Sequence, residues 1–199
     1  MGVSAMEPIN TRDPAASALA YLGMEWPLAL GHRYRPRQGC TCENTSCPAP
    51  GAHPLPAPFA ELTPEGVCDA LEQAPGAALI ARTERFDAIT LPRYVAMAAM
   101  VQLDRISPVP CILRDDSATL LVLPATGRYA LVDPRVALRT GPGQWTALPP
   151  SHQVRWETPP WIEPTLVRRQ LLHGGDVGRV VREIFNYVKG PNLQTGASC

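Results

Sequence analysis

Four side chains that can ligate a metal lie within about 14 residues of each other, and they constrain the fold of this chain more than any other feature. They are Cys40, Cys42, Cys47 and His53. Zinc in structural sites takes four thiolate or imidazole ligands in a tetrahedron, and a Cys3His set leaves no position for water. Three cysteines and a histidine seldom crowd together without a metal. The sequence therefore predicts a structural Zn2+ site in a loop at residues 39–54.

Residues that turn a backbone sharply frame this zinc loop. Pro48, Pro50, Gly51 and Pro54 supply tight turns, and Gly39 gives the backbone freedom where the loop begins. The alternative is a proline-rich loop with incidental thiols, because the chain holds 23 prolines among 199 residues. The Cys-x-Cys spacing is also less usual than Cys-x2-Cys.

The remaining cysteines are predicted to be bystanders. The chain shows no secretory signal pattern, and reduced cytosolic thiols do not form a disulfide scaffold. Cys68 falls on a helical pattern and Cys111 in an apolar run, so both are predicted to be small buried residues. Cys199 is the last residue.

The charge balance excludes one class of function and leaves a narrower one open. The 18 basic and 18 acidic residues give a net charge of zero, so the chain is not a strongly basic nucleic-acid binder. A local basic patch remains compatible with this balance. No apolar run reaches the roughly 20 residues that cross a bilayer, so we expect a soluble, cytoplasmic protein with no membrane partner.

Strand patterns with interspersed helices predict an α+β protein with a single mixed or antiparallel sheet flanked by helices. Helices are predicted at 14–23, from Thr63, at 92–103, at 163–172 and at 176–188. Strands are predicted at 26–30, 77–81 and 86–91 (two strands or one long bent one), 109–113, 119–123, 129–132 and 154–156, with a turn-rich connection at 141–150. The predicted organisation is a flexible N-terminus (1–12), a main domain (13–165), C-terminal helices (166–189) and a disordered tail (190–199).

The order of these features carries a resemblance. A helix ending in Gly23 is followed by the string WPLAL, an arginine-rich turn, and Cys-x-Cys-x4-Cys with PGAHP. The later strings ALIARTERFDAITLP (78–92) and PWIEP (160–164) fall in register with it. Over roughly residues 14–165 the chain resembles the N-terminal primase–polymerase (prim-pol) domain of the archaeo-eukaryotic primase superfamily, in an actinobacterial, stand-alone and degenerate form.

The resemblance implies a nucleotidyltransferase for DNA replication, yet the residues depart from the family pattern. Such chemistry needs carboxylates that hold divalent metal beside the triphosphate. When the segments are aligned, Asp87 matches an upstream acid, but the two metal-binding acids would fall at Thr90 and Pro92. The family's Ser-x-His maps near Ser117 to Thr119, where histidine is absent. We therefore expect a prim-pol-like scaffold that has lost polymerase chemistry.

An alternative keeps catalysis with an altered set of acids. Asp87, Asp115 and Asp116 are the candidate ligands for Mg2+ or Mn2+ in that case, although an Asp-Asp pair in a hairpin turn is usually solvated. For a non-catalytic protein, Arg33, Arg35 and Arg37 are candidates to contact phosphates, with Tyr34 offering a face for base stacking. The expected partner is then DNA or a replication protein. A third hypothesis is a zinc-stabilised protein-interaction module.

Overall fold

The computed structural model describes residues 10–56, 58–163 and 167–189. Within these ranges the chain is an α+β protein with a curled antiparallel sheet and four α-helices. The elements are α1 (Pro14–Gly23), β1 (Leu28–Gly31), β2 (Tyr34–Arg35), β3 (Gly39–Cys40), α2 (Val67–Gln73), β4 (Ala78–Pro92), α3 (Arg93–Leu103), β5 (Cys111–Leu113), β6 (Ser117–Val122), β7 (Ala137–Leu148), β8 (Arg155–Thr158), β9 (Trp161–Ile162), β10 (Val167–Arg168) and α4 (Gly174–Lys189).

The helix ends follow local capping chemistry. The Asp13 carboxylate accepts hydrogen bonds from the backbone N–H groups of Ala15 and Ala16, and Pro14 opens α1, as the sequence predicted. The second helix starts later than predicted because the Thr63 hydroxyl accepts the Gly66 N–H, which holds the preceding residues in a turn.

The strand β4 is the spine of the sheet. Its 15 residues form one long strand, and the main sheet runs in the order β1-β4-β6-β5-β8, with β7 also paired to β4. Along one edge, residues 78–81 pair with β1 and residues 87–92 pair with β6. The opposite edge pairs with β7. Every pairing is antiparallel, so the antiparallel form of the predicted sheet is the one that forms.

Apolar residues cover the sheet on both faces. Core 1 joins α1 and β1 to the first half of β4, with Trp26, Phe86 and Trp161 as its large side chains. Core 2 packs α3 and α4 against the other face. Side chains along β6 alternate between the two, since Leu120 belongs to core 2 and Leu121 to core 1.

Three predictions about the second half of the chain are wrong, and the first two concern an edge strand and a connection. The predicted edge strand at 129–132 is a 3-10 turn (Gly127–Ala130), because the Gly127 N–H bonds to a side chain on β4 instead of a neighbouring strand. The predicted turn-rich connection at 141–150 is mostly strand β7. Its ladder jumps from Trp145 opposite Arg82 to Gly141 opposite Thr83, so the intervening Pro and Gly residues bulge outwards without ending the strand.

The predicted helix at 163–172 is also wrong for the part of it that the structure describes, residues 163 and 167–172. Among the described residues of the predicted C-terminal helices (166–189), α4 is the one helix that forms. Strands β9 and β10 pair there instead, with Ile162 opposite Val167. Cys68 is exposed, because α2 turns Val67 into core 1, while Cys111 is buried as predicted. The predictions for residues 1–9, for 190–199 and for Cys199 lie outside the described residues. No helix in the described ranges has the length and apolarity needed to cross a membrane.

Candidate metal centre and the hairpin beside it

The four predicted zinc ligands come together in space. One ligand atom from each of Cys40, Cys42, Cys47 and His53 lies within 4.8 Å of all the others. The distance from Cys40 Sγ to His53 Nε2 is 3.3 Å. A zinc tetrahedron with Zn–S bonds of about 2.3 Å and Zn–N bonds of about 2.0 Å has S–N edges of about 3.5 Å. These four residues are close enough to bind a metal ion, and their donor set is consistent with structural zinc.

A short hairpin and tight turns position the cysteine ligands. The β2–β3 hairpin places Cys40 opposite Tyr34, and the Cys40 carbonyl accepts the Glu43 N–H as the chain turns back. Before Cys47, the Asn44 side chain accepts the Ser46 N–H at 2.9 Å and forms a second tight turn. The chain between Cys40 and Cys47 is therefore shaped by a short hairpin and two tight turns.

His53 is tied to the main sheet through its backbone. Its carbonyl accepts the His32 N–H at 2.9 Å, and the next residue, Pro54, forms a bridge to Gly31 at the end of β1. The two imidazole rings lie 4.4 Å apart, and His32 Nδ1 is 3.1 Å from Thr41 Oγ1. Burial and the neighbouring His53 lower the pKa of His32, so it is predominantly neutral at pH 7. The loop at residues 39–54, called the metal loop below, is thus held by β1 as well as by its own hairpin.

Gly51 joins the metal loop to its surroundings. Its backbone has φ of +62°, its N–H donates to Cys40 Sγ at 3.3 Å, and its carbonyl accepts the His152 N–H at 3.3 Å. A Cβ at this position would lie 2.6 Å from the Tyr34 backbone nitrogen. Both the left-handed backbone and the close approach require glycine.

The environment of Cys40 favours the form that binds metal. Burial alone would raise the pKa of its thiol. Donation from the Gly51 and Cys42 backbone N–H groups, together with the His53 and Cys42 side chains, outweighs burial and lowers this pKa to about 6. The thiolate is the metal-binding species of cysteine. The loop therefore stabilises the negative charge of the Cys40 thiolate, and Cys40 is the most buried of the three cysteines.

The predicted nucleic-acid residues flank the metal loop but differ in their exposure. Arg35 and Arg37 are exposed on the β2–β3 hairpin, and the Arg35 guanidinium donates a hydrogen bond to the Gln38 side chain at 3.4 Å. Arg33 is half-buried and donates to the Pro75 carbonyl at 3.0 Å. In the described part of the chain, no acidic side chain forms an ion pair with these three arginines.

Tyr34 is half of an aromatic pair. Its ring stacks on His152 at 3.9 Å between centroids and 10° between planes, and it remains 38% exposed. No local sequence pattern predicts this contact, because His152 follows Tyr34 by more than one hundred positions.

The candidate catalytic acids do not converge. The Asp87 side chain is buried and accepts hydrogen bonds from the Gly127 N–H at 2.6 Å and the Thr140 hydroxyl at 2.5 Å. Asp115 and Asp116 are exposed in the β5–β6 turn. On β4, Asp87 lies five positions before Pro92, the residue opposite the start of β6, so the turn is about 17 Å or more away. Within the described ranges, these three acids form no shared cation site.

The positions that the resemblance assigns to catalysis lie opposite one another on β4 and β6, and all of them except Pro92 carry hydroxyl groups. Thr90 lies directly opposite Thr119, with 2.8 Å between their side-chain oxygens, and Pro92 lies opposite Ser117. Arg114 and Arg139 line a small cavity beside them, and neither was singled out from the sequence. Arg114 directly follows β5 and Arg139 lies on β7, 25 positions further along the chain, so only the sheet register shows that they are neighbours.

None of the family models, curated proteins or solved structures compared with this chain matches it. The class of the protein is therefore defined by its own fold and site. They define an α+β protein with an antiparallel sheet and a candidate Cys3His metal centre beside an arginine-bearing hairpin.

Proposed function

We propose that this protein is a zinc-stabilised, prim-pol-like domain that binds single-stranded nucleic acid and does not polymerise nucleotides. The observation that carries the proposal is the β2–β3 hairpin. It presents Arg35 and Arg37 without acidic partners in the described structure, beside the partly exposed ring of Tyr34. The metal loop follows this hairpin directly and holds its second strand through Cys40.

The hairpin has the two chemical features that unpaired strands require. Arginine neutralises backbone phosphates, and an aromatic face stacks on any base without selecting its sequence. The stacked His152 orients the Tyr34 ring, which lowers the entropy lost when a base packs on it. A patch of this size is compatible with the zero net charge of the whole chain.

The proposal that the protein does not polymerise nucleotides depends on which residues occupy the metal-binding positions. Nucleotidyl transfer by two metal ions needs carboxylates that bridge the cations, and threonine hydroxyls are poor substitutes. Thr90 and Thr119 instead bond to each other. The Asp87 carboxylate is occupied by two protein donors in the sheet interior. A primer-extension assay with Mg2+ or Mn2+ should give no product, and template-dependent product from the unmodified protein would overturn this part of the proposal.

Fluorescence anisotropy with a labelled oligothymidylate tests the binding. We expect the double variant R35Q/R37Q to bind about 5- to 10-fold more weakly than the unmodified protein at low salt. It should also lose about 1.4 from the slope of log K against log salt, since each phosphate contact on a single strand contributes about 0.7.

The variant R179Q/R182Q is the matched control, because it removes two exposed arginines from α4. It should retain both the affinity and the salt slope. Equal losses in the two double variants, or no loss in either, would contradict a hairpin site. No binding at any salt concentration would favour the protein-interaction module instead.

A further inference from the structure

An apolar pocket lies beside β1, where the chain that leaves the metal loop runs past this edge strand. Two isolated bridges tie the chain to β1, one from Gly31 to Pro54 and one from Ala29 to Glu61. A single residue of β1 separates the two bridged positions, whereas residues 55–60 separate them on the other side. The longer segment, called the proline arm (54–62) below, therefore cannot stay against the strand along its whole length, and the pocket forms between them.

The pocket has the size and the lining of a site for one aromatic side chain. Among the described residues, those that line it are all alanine, leucine, proline or phenylalanine, from β1, from the proline arm and from Ala70 of α2. Its volume is about 250 Å³. An engineered apolar cavity of about 150 Å³ binds benzene, so this pocket has room for a phenyl or indole group. Sites for drug-sized ligands begin at about 300 Å³.

The proline arm is held in place by its own chemistry and by its neighbours. Its three prolines have φ fixed by their rings. The Arg82 guanidinium lies 4.1 Å from the centroid of the Phe59 ring and donates to the Glu61 carboxylate at 3.2 Å. The arm begins directly after the candidate metal ligand His53, so a bound metal fixes its first end. A pocket with such a rim loses little conformational entropy when a side chain enters it.

The surface around the pocket is acidic. From residue 54 to residue 81 the chain carries no basic side chain and four acidic ones, at Glu61, Glu65, Asp69 and Glu72. Glu61 pairs with Arg82, but in the described part of the chain no ion pair involves the other three acids, which are exposed. Asp69 directly precedes Ala70, which lines the pocket. A partner with Lys or Arg beside its aromatic side chain therefore complements both the pocket and its surroundings.

We propose that this pocket is a docking site for a basic segment of a partner protein, which inserts one aromatic side chain. The aromatic group fills the pocket between β1 and the proline arm, and the flanking Lys or Arg side chains lie near the acids of α2. Aromatic anchors in apolar pockets carry most of the binding free energy at protein interfaces, while charges at the rim govern the association rate and the choice of partner. This role goes beyond the nucleic-acid binding proposed above and does not involve the β2–β3 hairpin.

Fluorescence anisotropy of the zinc-loaded protein with a fluorescein-labelled peptide tests the site. The probe is GKRKWKRKG, which places one tryptophan between two basic runs. The same peptide with alanine in place of tryptophan should bind about 10-fold more weakly or worse, because it lacks the anchor. A peptide with glutamine in place of each Lys and Arg should bind about 5-fold more weakly or worse and should lose most of the dependence on salt.

Ala70→Leu tests the pocket from the side of the protein. Ala70 is half-buried on α2, and a leucine side chain there occupies part of the pocket while preserving a good helix former. The affinity for the tryptophan peptide should decrease about 10-fold. The matched control is Ala98→Leu, the same change at an exposed position of α3, a helix of core 2. It should change the affinity less than about two-fold.

A second pair of variants tests the charges without altering any buried side chain. D69N/E72Q neutralises two exposed acids of α2 and should weaken binding about 2- to 5-fold. D115N/D116N is its control, because it neutralises two exposed acids in the β5–β6 turn, at the Pro92 end of β4, whereas β1 pairs with residues 78–81. It should leave the affinity unchanged.

Several results would overturn the proposal. These are equal affinities for the tryptophan and alanine peptides, equal losses in Ala70→Leu and Ala98→Leu, equal losses in the two double variants, and no saturable binding up to about 1 mM peptide. N-acetyltryptophanamide that binds as tightly as the peptide would assign the pocket to a small ligand instead. Self-association of the unmodified protein that Ala70→Leu abolishes would assign it to a second copy of this chain. R35Q/R37Q should keep its affinity for the peptide, so the hairpin proposal and this one fail in different measurements.

Discussion

Replacing Asp87 with alanine separates a structural carboxylate from a catalytic one. This side chain is 1% exposed and accepts hydrogen bonds from the Gly127 N–H and the Thr140 hydroxyl. The Gly127 bond fixes the 3-10 turn (Gly127–Ala130), against which α4 packs closely. A Cβ on Gly174 would lie only 2.1 Å from the Thr126 carbonyl oxygen.

The expected loss of stability follows from these contacts. Each hydrogen bond to a charged group contributes about 1.5–3 kcal/mol, and a buried N–H left without an acceptor pays its full desolvation cost. Two such bonds give a loss of about 3–6 kcal/mol for Asp87→Ala. For a chain of this length each kcal/mol lowers the melting temperature by about 2–4 °C, so the expected decrease is about 6–24 °C. Asp87→Asn keeps one acceptor oxygen and should lose about half as much.

Thermal unfolding of the zinc-loaded protein, followed by circular dichroism, measures the effect. Asp116→Ala is the control, because this acid is exposed and its change should stay within about 0.5 kcal/mol. Equal melting temperatures for the two alanine variants would refute the structural role. Stabilisation of the unmodified protein by Mg2+ that disappears in Asp87→Ala would show instead that the carboxylate holds a cation.

Three further predictions concern glycine and cysteine. Gly51→Ala should weaken zinc binding in a competition with a chromophoric chelator, since a left-handed alanine costs about 1–2 kcal/mol before any clash, whereas Gly143→Ala, which meets open space, should not. Cys47→Ser should reduce bound zinc below about half an equivalent by elemental analysis, and a full equivalent would remove this residue from the ligand set. Exposed Cys68 should react with iodoacetamide in the folded protein, while Cys111, whose pKa burial raises to about 12, should react only after unfolding. Peptide mapping by mass spectrometry that finds equal labelling rates would contradict the burial argument.

The features that sequence predicts well are those with a local cause. Asp13 and Pro14 begin α1, and Gly23 ends it, because capping depends on neighbouring residues alone. The four zinc ligands lie within one short loop, so their spacing already limits how far apart they fold. Apolar runs on either side of residue 83 predicted either two strands or one long bent strand, and the structure has one long strand, β4.

The features that sequence misses depend on distant partners. Gly141 and Pro142 indicate a turn when read locally, yet β4 pairs on both sides of the bulge and keeps β7 a strand. Asp87 finds its donor Gly127 across 40 positions, a contact that no local pattern along the chain indicates. The cavity with Arg114 exists only because four strands align in register, and no spacing along the chain encodes that alignment.

The spine strand β4 also determines how the protein loses its structure. Its first half contributes to core 1 and its second half, through Ile89 and Leu91, to core 2. Neither core can open without disturbing β4, which the other core also needs, so we expect the two apolar clusters not to behave as separate foldons. We therefore expect the described chain to unfold cooperatively, and a destabilising substitution in either core to lower the stability of the whole sheet.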